Sequence, residues 1–340
     1  MTSTPTRLHE SPDNRSLKST CNFGVINFDK PVGPSAHQVS AWVRDLIGVE
    51  RAAHAGTLDP KVTGCLPILL GEATRLAPVF LEGIKEYITV LEFHAPPPND
   101  FSTIIETFEG AIYQKPPRKS AVSRRLRTRT IETLEILELD SDTQQALLRI
   151  HCESGTYIRK LCHDLGLAAG TGAHMGDLRR AGTTPFSDID LISAADLTDA
   201  VVFTIEETLG SNEQHTTTNH DDSAAAYSLL EDIAAADIDT SSVPPTDHLE
   251  KVITPAERAL QHLPTVTIAP SAATEVAMGA PVYAPGVIEF DTARGAADDI
   301  ADNALVSCHT PDKTAVCLGR VSGALDAESG EVVSLERVLV

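Results

Sequence analysis

An α+β fold with two hydrophobic cores is what this sequence predicts, and three observations carry the prediction. At 340 residues the chain is long enough to bury two separate cores. Strand-like and helix-like patterns mix along its first half without the regular alternation of a doubly wound parallel sheet. From residue 263 onward strand patterns dominate and form a compact β-rich module.

The elements follow in chain order. Residues 1–19 are polar and expected to be loosely held. Residues 22–28 form a β-prone run, closed by the turn cluster Asp29-Lys-Pro-Val-Gly-Pro34. Ser35 caps a helix whose Val39, Trp42, Val43, Leu46 and Ile47 share one face, and Gly48 ends it. Residues 51–60 are small, polar and loop-like; 65–70 read as a buried strand, 72–81 as a helix and 86–93 as a strand. Ile104, Ile105, Phe108 and Ile112 repeat at helical spacing. Strands are expected over 120–138 and 146–152, and a helix over 156–169 with Ile158, Leu161 and Leu165 facing inward. Residues 211–250 hold nine carboxylates and no lysine or arginine, the composition of a solvated acidic linker with room for a short helix over 227–236. Strand patterns at 265–269, 280–290, 304–309, 315–323 and 332–340, with one helix over 271–278, complete the chain. The expected domains are an extension over 1–20, a main domain over 21–210, the acidic linker and a C-terminal domain over 251–340.

Composition narrows the function. Hydrophobic residues make up 42% and charged residues 22%, as in a folded, water-soluble protein. No apolar run is long enough to cross a bilayer, and no basic-then-apolar leader is visible, so no membrane partner and a cytoplasmic address are expected. The six cysteines are scattered without a C-x-x-C pair, which suggests neither a zinc site nor a disulfide framework; no metal or cofactor is expected. Lysine and arginine total 27 against 48 aspartates and glutamates, a net charge of −21. Such a chain is a poor prior for a polyanionic partner. Either the partner is not nucleic acid, or the protein works in concentrated salt, where the screening length contracts to about 3 Å at 1 M. Nine lysines against eighteen arginines fit the second reading.

One loop stands out chemically. Ala53-His-Ala-Gly-Thr-Leu-Asp-Pro60 is small and glycine-punctuated, and it presents the single carboxylate Asp59 directly before a proline. Pro60 drives Asp59 out of helical geometry and stiffens the loop, and the apolar strand behind it can hold the carboxylate rigidly. An Asp-Pro turn alone is more often structural than catalytic.

The longer string, running on through Lys61-Val-Thr-Gly-Cys-Leu-Pro-Ile-Leu-Leu-Gly-Glu-Ala-Thr-Arg75, resembles the nucleophile motif of the TruB/dyskerin family of RNA pseudouridine synthases. Four further blocks match that family in the same order: Gly24-Val-Ile-Asn-Phe-Asp-Lys-Pro-Val-Gly33, Lys85-Glu-Tyr87, Gly155-Thr-Tyr-Ile-Arg159 and Gly172-Ala-His-Met-Gly-Asp-Leu-Arg-Arg180. Residues 116–122, the basic run to Arg129, and Leu161-Cys-His-Asp164 are similar to the archaeal and eukaryotic dyskerin branch. The tail, with Pro270-Ser-Ala-Ala273 and Gly279-Ala-Pro-Val-Tyr-Ala-Pro-Gly286, resembles that branch's PUA domain. The resemblance implies a mixed, mainly antiparallel sheet with flanking helices, followed by a small β-barrel-like PUA domain.

It also implies a reaction. Uridine becomes pseudouridine when the C1′–N1 bond breaks, the uracil rotates and carbon rejoins the sugar. The base must first leave its stack. Asp59 is then the catalytic carboxylate, acting without metal or cofactor, either by attack on the sugar or by supporting a glycal path. Arg159 pairs with Asp59 and keeps it ionised and aimed. Tyr87 stacks on the flipped base and relays a proton, Leu178 walls the base pocket, and Tyr157 lines it. His54 contacts the displaced nucleotide. Lys30, counted with the substrate-binding groups, and Pro31 are expected to support the nucleophile loop. The chain departs from the family at Ala53 and Ala55, which removes a hydroxyl beside His54. Arg124, Arg125, Arg127 and Arg129, within seven cations in fifteen residues, are the expected RNA-phosphate contacts. The implied partners are RNA (tRNA, rRNA, an H/ACA guide RNA) and small H/ACA accessory proteins. The alternative is a non-catalytic RNA-binding scaffold of a ribonucleoprotein, against which the intact Asp59, Tyr87 and Arg159 speak.

Overall fold

The computed structural model of the chain describes residues 8–115, 125–210, 227–291, 302–324 and 327–340. Ten strands form the larger sheet: β1 (Gly24–Lys30), β2 (Ala52–His54), β3 (Thr63–Leu70), β4 (Lys85–Phe93), β5 (Gly110–Gln114), β6 (Arg127–Asp140), β7 (Gln145–Cys152), β8 (Ala173–Thr183), β9 (Phe186–Ser187) and β10 (Thr254–Pro255). Their order is β10-β1-β3-β8-β4-β7-β6-β5, with β2 added to β3 and β9 to β8. Every pairing is antiparallel except β3 with β8, which meet only at Thr63↔Arg179 and Gly64↔Arg180. That two-position ladder joins the two antiparallel halves. It brings the strand leaving the Asp59 loop beside the strand that carries Leu178. Gly64, at φ +97°, is required there, since a Cβ would stand 2.3 Å from the Arg180 carbonyl.

Helices cover the sheet as an α+β fold demands. α1 (Leu17–Asn22) and α2 (Ala36–Ile47) come first, and α2 is closed by a capping box between Ser35 and Gln38 and by Gly48 in the left-handed region. The apolar face read from its sequence packs on Ile26, Phe28, Leu66 and Ile68 of β1 and β3. α3 (Ala77–Glu82) and α4 (Phe101–Glu106) follow, and α5 (Ile158–Ala168) buries Ile158, Leu161 and Leu165 against β4, β6 and β7.

The C-terminal sheet holds β11 (Thr265–Ile268), β12 (Val282–Tyr283), β13 (Val287–Asp291), β14 (Leu305–His309), β15 (Ala315–Val321) and β16 (Glu331–Val338), in the order β12-β16-β15-β14-β11-β13. It shares a core with the larger sheet, where Phe23, Val25, Leu69 and Phe80 pack with Ala315, Leu318 and Leu339. A buried Arg15–Glu257 ion pair reinforces this junction, with oxygens 2.5 and 3.0 Å from the guanidinium.

Four expectations need correction. The amino-terminal segment is not loose from residue 8: Leu17 is fully buried, and Arg15 is tied to the Glu257 carboxylate and the Phe23 carbonyl. Residues 72–81 are a 3-10 turn over Gly71–Leu76 before α3, because Pro78 fits the first turn of a new helix rather than the middle of an old one. Ile112 belongs to β5, not to the helix of Ile104 and Ile105. Of the acidic segment, 211–226 lie outside the described residues, but 227–250 are not a solvated linker. There α7 (Leu229–Ala235) and α8 (Asp247–Glu250) drive Leu229, Ile233 and Leu249 into the core beside α6 (Ala194–Leu209). Their carboxylates sit on the outer faces, so composition concealed a buried apolar stripe. No described helix is long and apolar enough to cross a membrane.

Candidate active site

The loop between β2 and β3 lifts Asp59 away from the sheet. Val62 N–H closes a turn on the Asp59 carbonyl at 2.9 Å, and Gly33 N–H donates to the Pro60 carbonyl at 2.9 Å, tying the loop to the turn after β1. Lys30 lies beneath. Its ammonium is fully buried and donates to the carbonyls of Pro31 (2.8 Å), Pro60 (3.3 Å) and Val62 (2.8 Å). Burial pulls the Lys30 pKa below its ordinary value, with the Asp59 carboxylate opposing. Three carbonyls occupy its three protons, so the geometry is that of a loop clamp and leaves no donor for a substrate.

Opposite the loop stands the first turn of α5. Arg159 Nη2 forms an ion pair with Asp59 Oδ2, and both side chains remain open to solvent at 55% and 57% exposure. The carboxylate is thus accessible, and the two groups one hundred residues apart in sequence are in contact. The helix has no side-chain cap of its own. In its place the buried Gln114, last residue of β5, receives the Tyr157 N–H on Oε1 at 2.8 Å and donates Nε2–H to the Tyr157 carbonyl at 3.2 Å. Gln114 therefore fixes the backbone two residues before Arg159, and nothing in the sequence pattern singled it out.

Tyr87 and Leu178 come from the neighbouring strands, Tyr87 opposite Arg180 and Thr89 opposite Leu178 across β4 and β8. Burial pushes the Tyr87 phenol above its usual pKa, while the adjacent Arg180 guanidinium pulls the other way. The ring thus stays protonated and neutral at physiological pH. Leu178 is half-buried and touches two of the hydrophobic cores. His54 lies at the end of β2 with its Nδ1 buried and without a hydrogen-bond partner among the described residues. Its pKa is lowered by burial, then by His37 and Arg180, so the imidazole is neutral. The His37 ring meets it edge-on at 6.2 Å.

The basic strand leads to the same place. Arg125, Arg127 and Arg129 run into β6, and Arg129 donates to Glu153 Oε1 at 3.0 Å, just before Gly155 and the start of α5. Arg129 is thereby occupied by a carboxylate, whereas Arg125 is exposed and Arg127 half-exposed. Arg124 lies outside the described residues. A concavity of about 500 Å3 lies away from the ion pair, among Pro12, Arg15, Pro244 and Arg258. An open carboxylate–guanidinium pair suits a large, folded substrate better than a small molecule held in an enclosed pocket.

Comparison with known proteins decides the family. The model described as "TruB family pseudouridylate synthase (N terminal domain)" matches residues 44–100, "tRNA pseudouridylate synthase B C-terminal domain" matches 159–261, and "DKCLD (NUC011) domain" matches 1–40. A probable tRNA pseudouridine synthase B of Halobacterium salinarum is 56% identical across 97% of this chain and 98% of that protein. The chain belongs to the TruB/dyskerin family of pseudouridine synthases. The synthase is also 54% identical to the Haloarcula marismortui protein of the same description, over 99% of this chain and 95% of that one. Among solved structures, that of a Cbf5-Nop10-Gar1 complex matches 98% of this chain and 90% of that chain, with 35% identity and a TM-score of 0.79. One of an H/ACA ribonucleoprotein bound to a substrate RNA containing 2′-deoxyuridine matches 99% and 91%, with 33% identity and a TM-score of 0.77. The synthase is therefore an enzyme of RNA modification, and the names of both these organisms denote salt-loving archaea, in keeping with the net charge of −21.

Proposed function

We propose that the synthase isomerises uridines as the catalytic subunit of a guide-RNA-directed H/ACA particle, with Asp59 as its catalytic carboxylate. The observation that carries the reading is the Asp59–Arg159 pair, formed and solvent-accessible on a fold that follows the Cbf5-containing complexes along nearly its whole length. In this reading a flipped uridine stacks on the neutral Tyr87 ring against Leu178, with Tyr157 at its edge. Asp59 assists cleavage of the C1′–N1 bond, the uracil turns, and C5 bonds to C1′. The proton displaced from C5 leaves and N1 gains one, so the reaction is a balanced isomerisation. Arg159 keeps Asp59 charged, and neutral His54 contacts the displaced nucleotide. Arg124, Arg125 and Arg127 meet phosphates, and Arg129 joins them on giving up Glu153. Small accessory proteins of the Nop10 and Gar1 kind would complete the particle.

A second reading, guide-free modification of the T-arm uridine of tRNA, is supported by the relatives described as tRNA pseudouridine synthase B. Pseudouridine mapping on tRNA and ribosomal RNA, with the purified protein alone and then with guide RNA and accessory proteins, separates the two. Modification that appears only with guide RNA supports the first; tRNA modification by the protein alone supports the second. No modification by either, in high KCl, overturns both.

A further inference from the structure

Among the buried cations that the scheme above leaves unused, Arg180 lies against the Asp59 loop. Arg180, on β8, is 1% exposed and is the largest fully buried side chain described. Its Nε–H donates to the Cys65 carbonyl at 2.7 Å and its Nη2–H to the Gly56 carbonyl at 3.3 Å. Among the described residues no carboxylate forms an ion pair with it. A buried guanidinium held by backbone carbonyls without a paired carboxylate is a poor way to stabilise a core. Well-packed apolar residues at such positions are commonly as stable or more so. Something other than stability keeps it there.

What it touches suggests the reason. Cys65 and Gly56 flank the nucleophile loop on its two sides, and Tyr87 faces Arg180 across the strand pair. Gly56 has φ +116°, and a Cβ on it would press to 3.0 Å from the guanidinium, so the loop backbone lies directly on this charge. Lys30 holds the far end of the same loop through Pro60 and Val62. Asp59 is thus slung between two buried cations while its own side chain stays in solvent.

We infer that Arg180 is a positioning residue for the isomerisation, fixing the Asp59 loop relative to the Tyr87 ring through the Gly56 carbonyl and through its place opposite Tyr87 on the paired strand. The inference rests on the roles proposed for Asp59 and Tyr87. It adds a single rigid link between the group that assists bond cleavage and the ring that holds the base. Lysine in its place keeps the charge but lacks the fork needed to span several acceptors, and methionine keeps the bulk without donors.

The test uses the full chain in high KCl, with whichever RNA the mapping experiment shows the wild type to modify. Arg180→Lys, Arg180→Met and Tyr87→Phe are compared for RNA dissociation constant, single-turnover rate and thermal melting. Expected are dissociation constants within about threefold of wild type. The rate is expected to fall at least about tenfold for Arg180→Lys and about a hundredfold for Arg180→Met, the scale of a 1 Å misplacement of reacting groups. The Tyr87→Phe/Arg180→Lys double variant should lose less than the product of the two single losses. A folded Arg180→Lys with the wild-type rate, fully multiplicative losses, or failure of Arg180→Lys itself to fold would each overturn the inference. Absence of wild-type turnover on every RNA would instead strike the underlying site reading.

Discussion

Replacing Gln114 with leucine tests how the Asp59–Arg159 pair is held. The change removes two hydrogen bonds, from Tyr157 N–H at 2.8 Å and to its carbonyl at 3.2 Å. The carbonyl keeps other donors, since Lys160 N–H and Leu161 N–H both reach it at 3.0 Å. Taking the Gln114 acceptor away from the N–H costs about 1–3 kcal/mol, with about 1 kcal/mol more for the second bond. A loss of about 2–4 kcal/mol, or several degrees in melting temperature, is therefore expected. The larger effect is on rate. The freed backbone lies two residues before Arg159, and a shift of about 1 Å there is worth about a hundredfold. Single-turnover pseudouridine formation on bound RNA measures it. Gln114→Asn provides a graded control, because the shorter amide keeps an acceptor and a donor but reaches Tyr157 less well; it should fall between wild type and leucine. A Gln114→Leu protein that is destabilised but turns over within twofold of wild type would refute the reasoning. It would mean that Arg159 takes its orientation from Asp59 alone.

Other expectations follow from the same geometry. Asp59→Asn should abolish turnover while RNA binding, measured by filter retention, persists; residual turnover at a tenth of wild type would remove Asp59 from the chemistry. Arg15→Met leaves Glu257 charged in a site where the pair's side chains are 2% and 5% exposed, and should cost about 3–5 kcal/mol in denaturant unfolding. Adding Glu257→Met should restore much of it, and no recovery would show that the hydrogen bonds of Arg15 to backbone dominate. Burial holds His9, His54, His262 and His309 below their ordinary 6.5, so the unfolded chain binds more protons than the folded one as pH falls past that value. The histidines' contribution to stability should be flat above about 6.5 and decline below it until the folded values are passed. A denaturation midpoint unchanged between pH 7.5 and 5.5 contradicts this. With a net charge of −21, melting temperature should rise steeply between about 0.1 M and 1 M KCl, and a salt-independent melting temperature would count against adaptation to a salty cytoplasm.

What could be read from the sequence was what is written locally. The α2 helix announces itself through Ser35, its apolar stripe and Gly48, and the structure keeps all three. The loop of Asp59 was legible because glycines and Pro60 specify a rigid turn, and its family strings named the distant partner. The rest depends on pairings that periodicity does not encode. β8 reads poorly as a strand because Gly176, Arg179, Arg180 and Gly182 interrupt its pattern, yet it is the strand that joins both halves of the sheet. Gln114 and Arg180 are polar residues whose importance lies in the carbonyls they meet, Tyr157 in one case and Gly56 and Cys65 in the other. Those carbonyls are 43, 124 and 115 residues away. A short helix over 227–236 was legible, but its burial and the helix around Leu249 were hidden by their carboxylates, since a stripe of only two or three apolar residues is enough to anchor a short helix on an existing core.

The placement of the cations follows from the charge of the whole molecule. In concentrated salt an exposed cation is screened within a few ångströms, and on so acidic a surface it also finds carboxylates close by, as Arg129 finds Glu153 and Arg179 finds Asp29. A positive charge can act dependably on the Asp59 loop only by direct contact or from a position that ions do not reach. Arg159 takes the first course, and Lys30 and Arg180 take the second. The burial of these two side chains in an acidic protein is what preserves their effect on the loop when salt has removed longer-range attraction. The same argument orders the salt response of variants. Raising KCl should weaken RNA binding through Arg125 and Arg127, which solvent reaches, but should leave the single-turnover rate on bound RNA unchanged. A chemical step that itself falls with salt would show that the cations under Asp59 are reached by solvent ions after all.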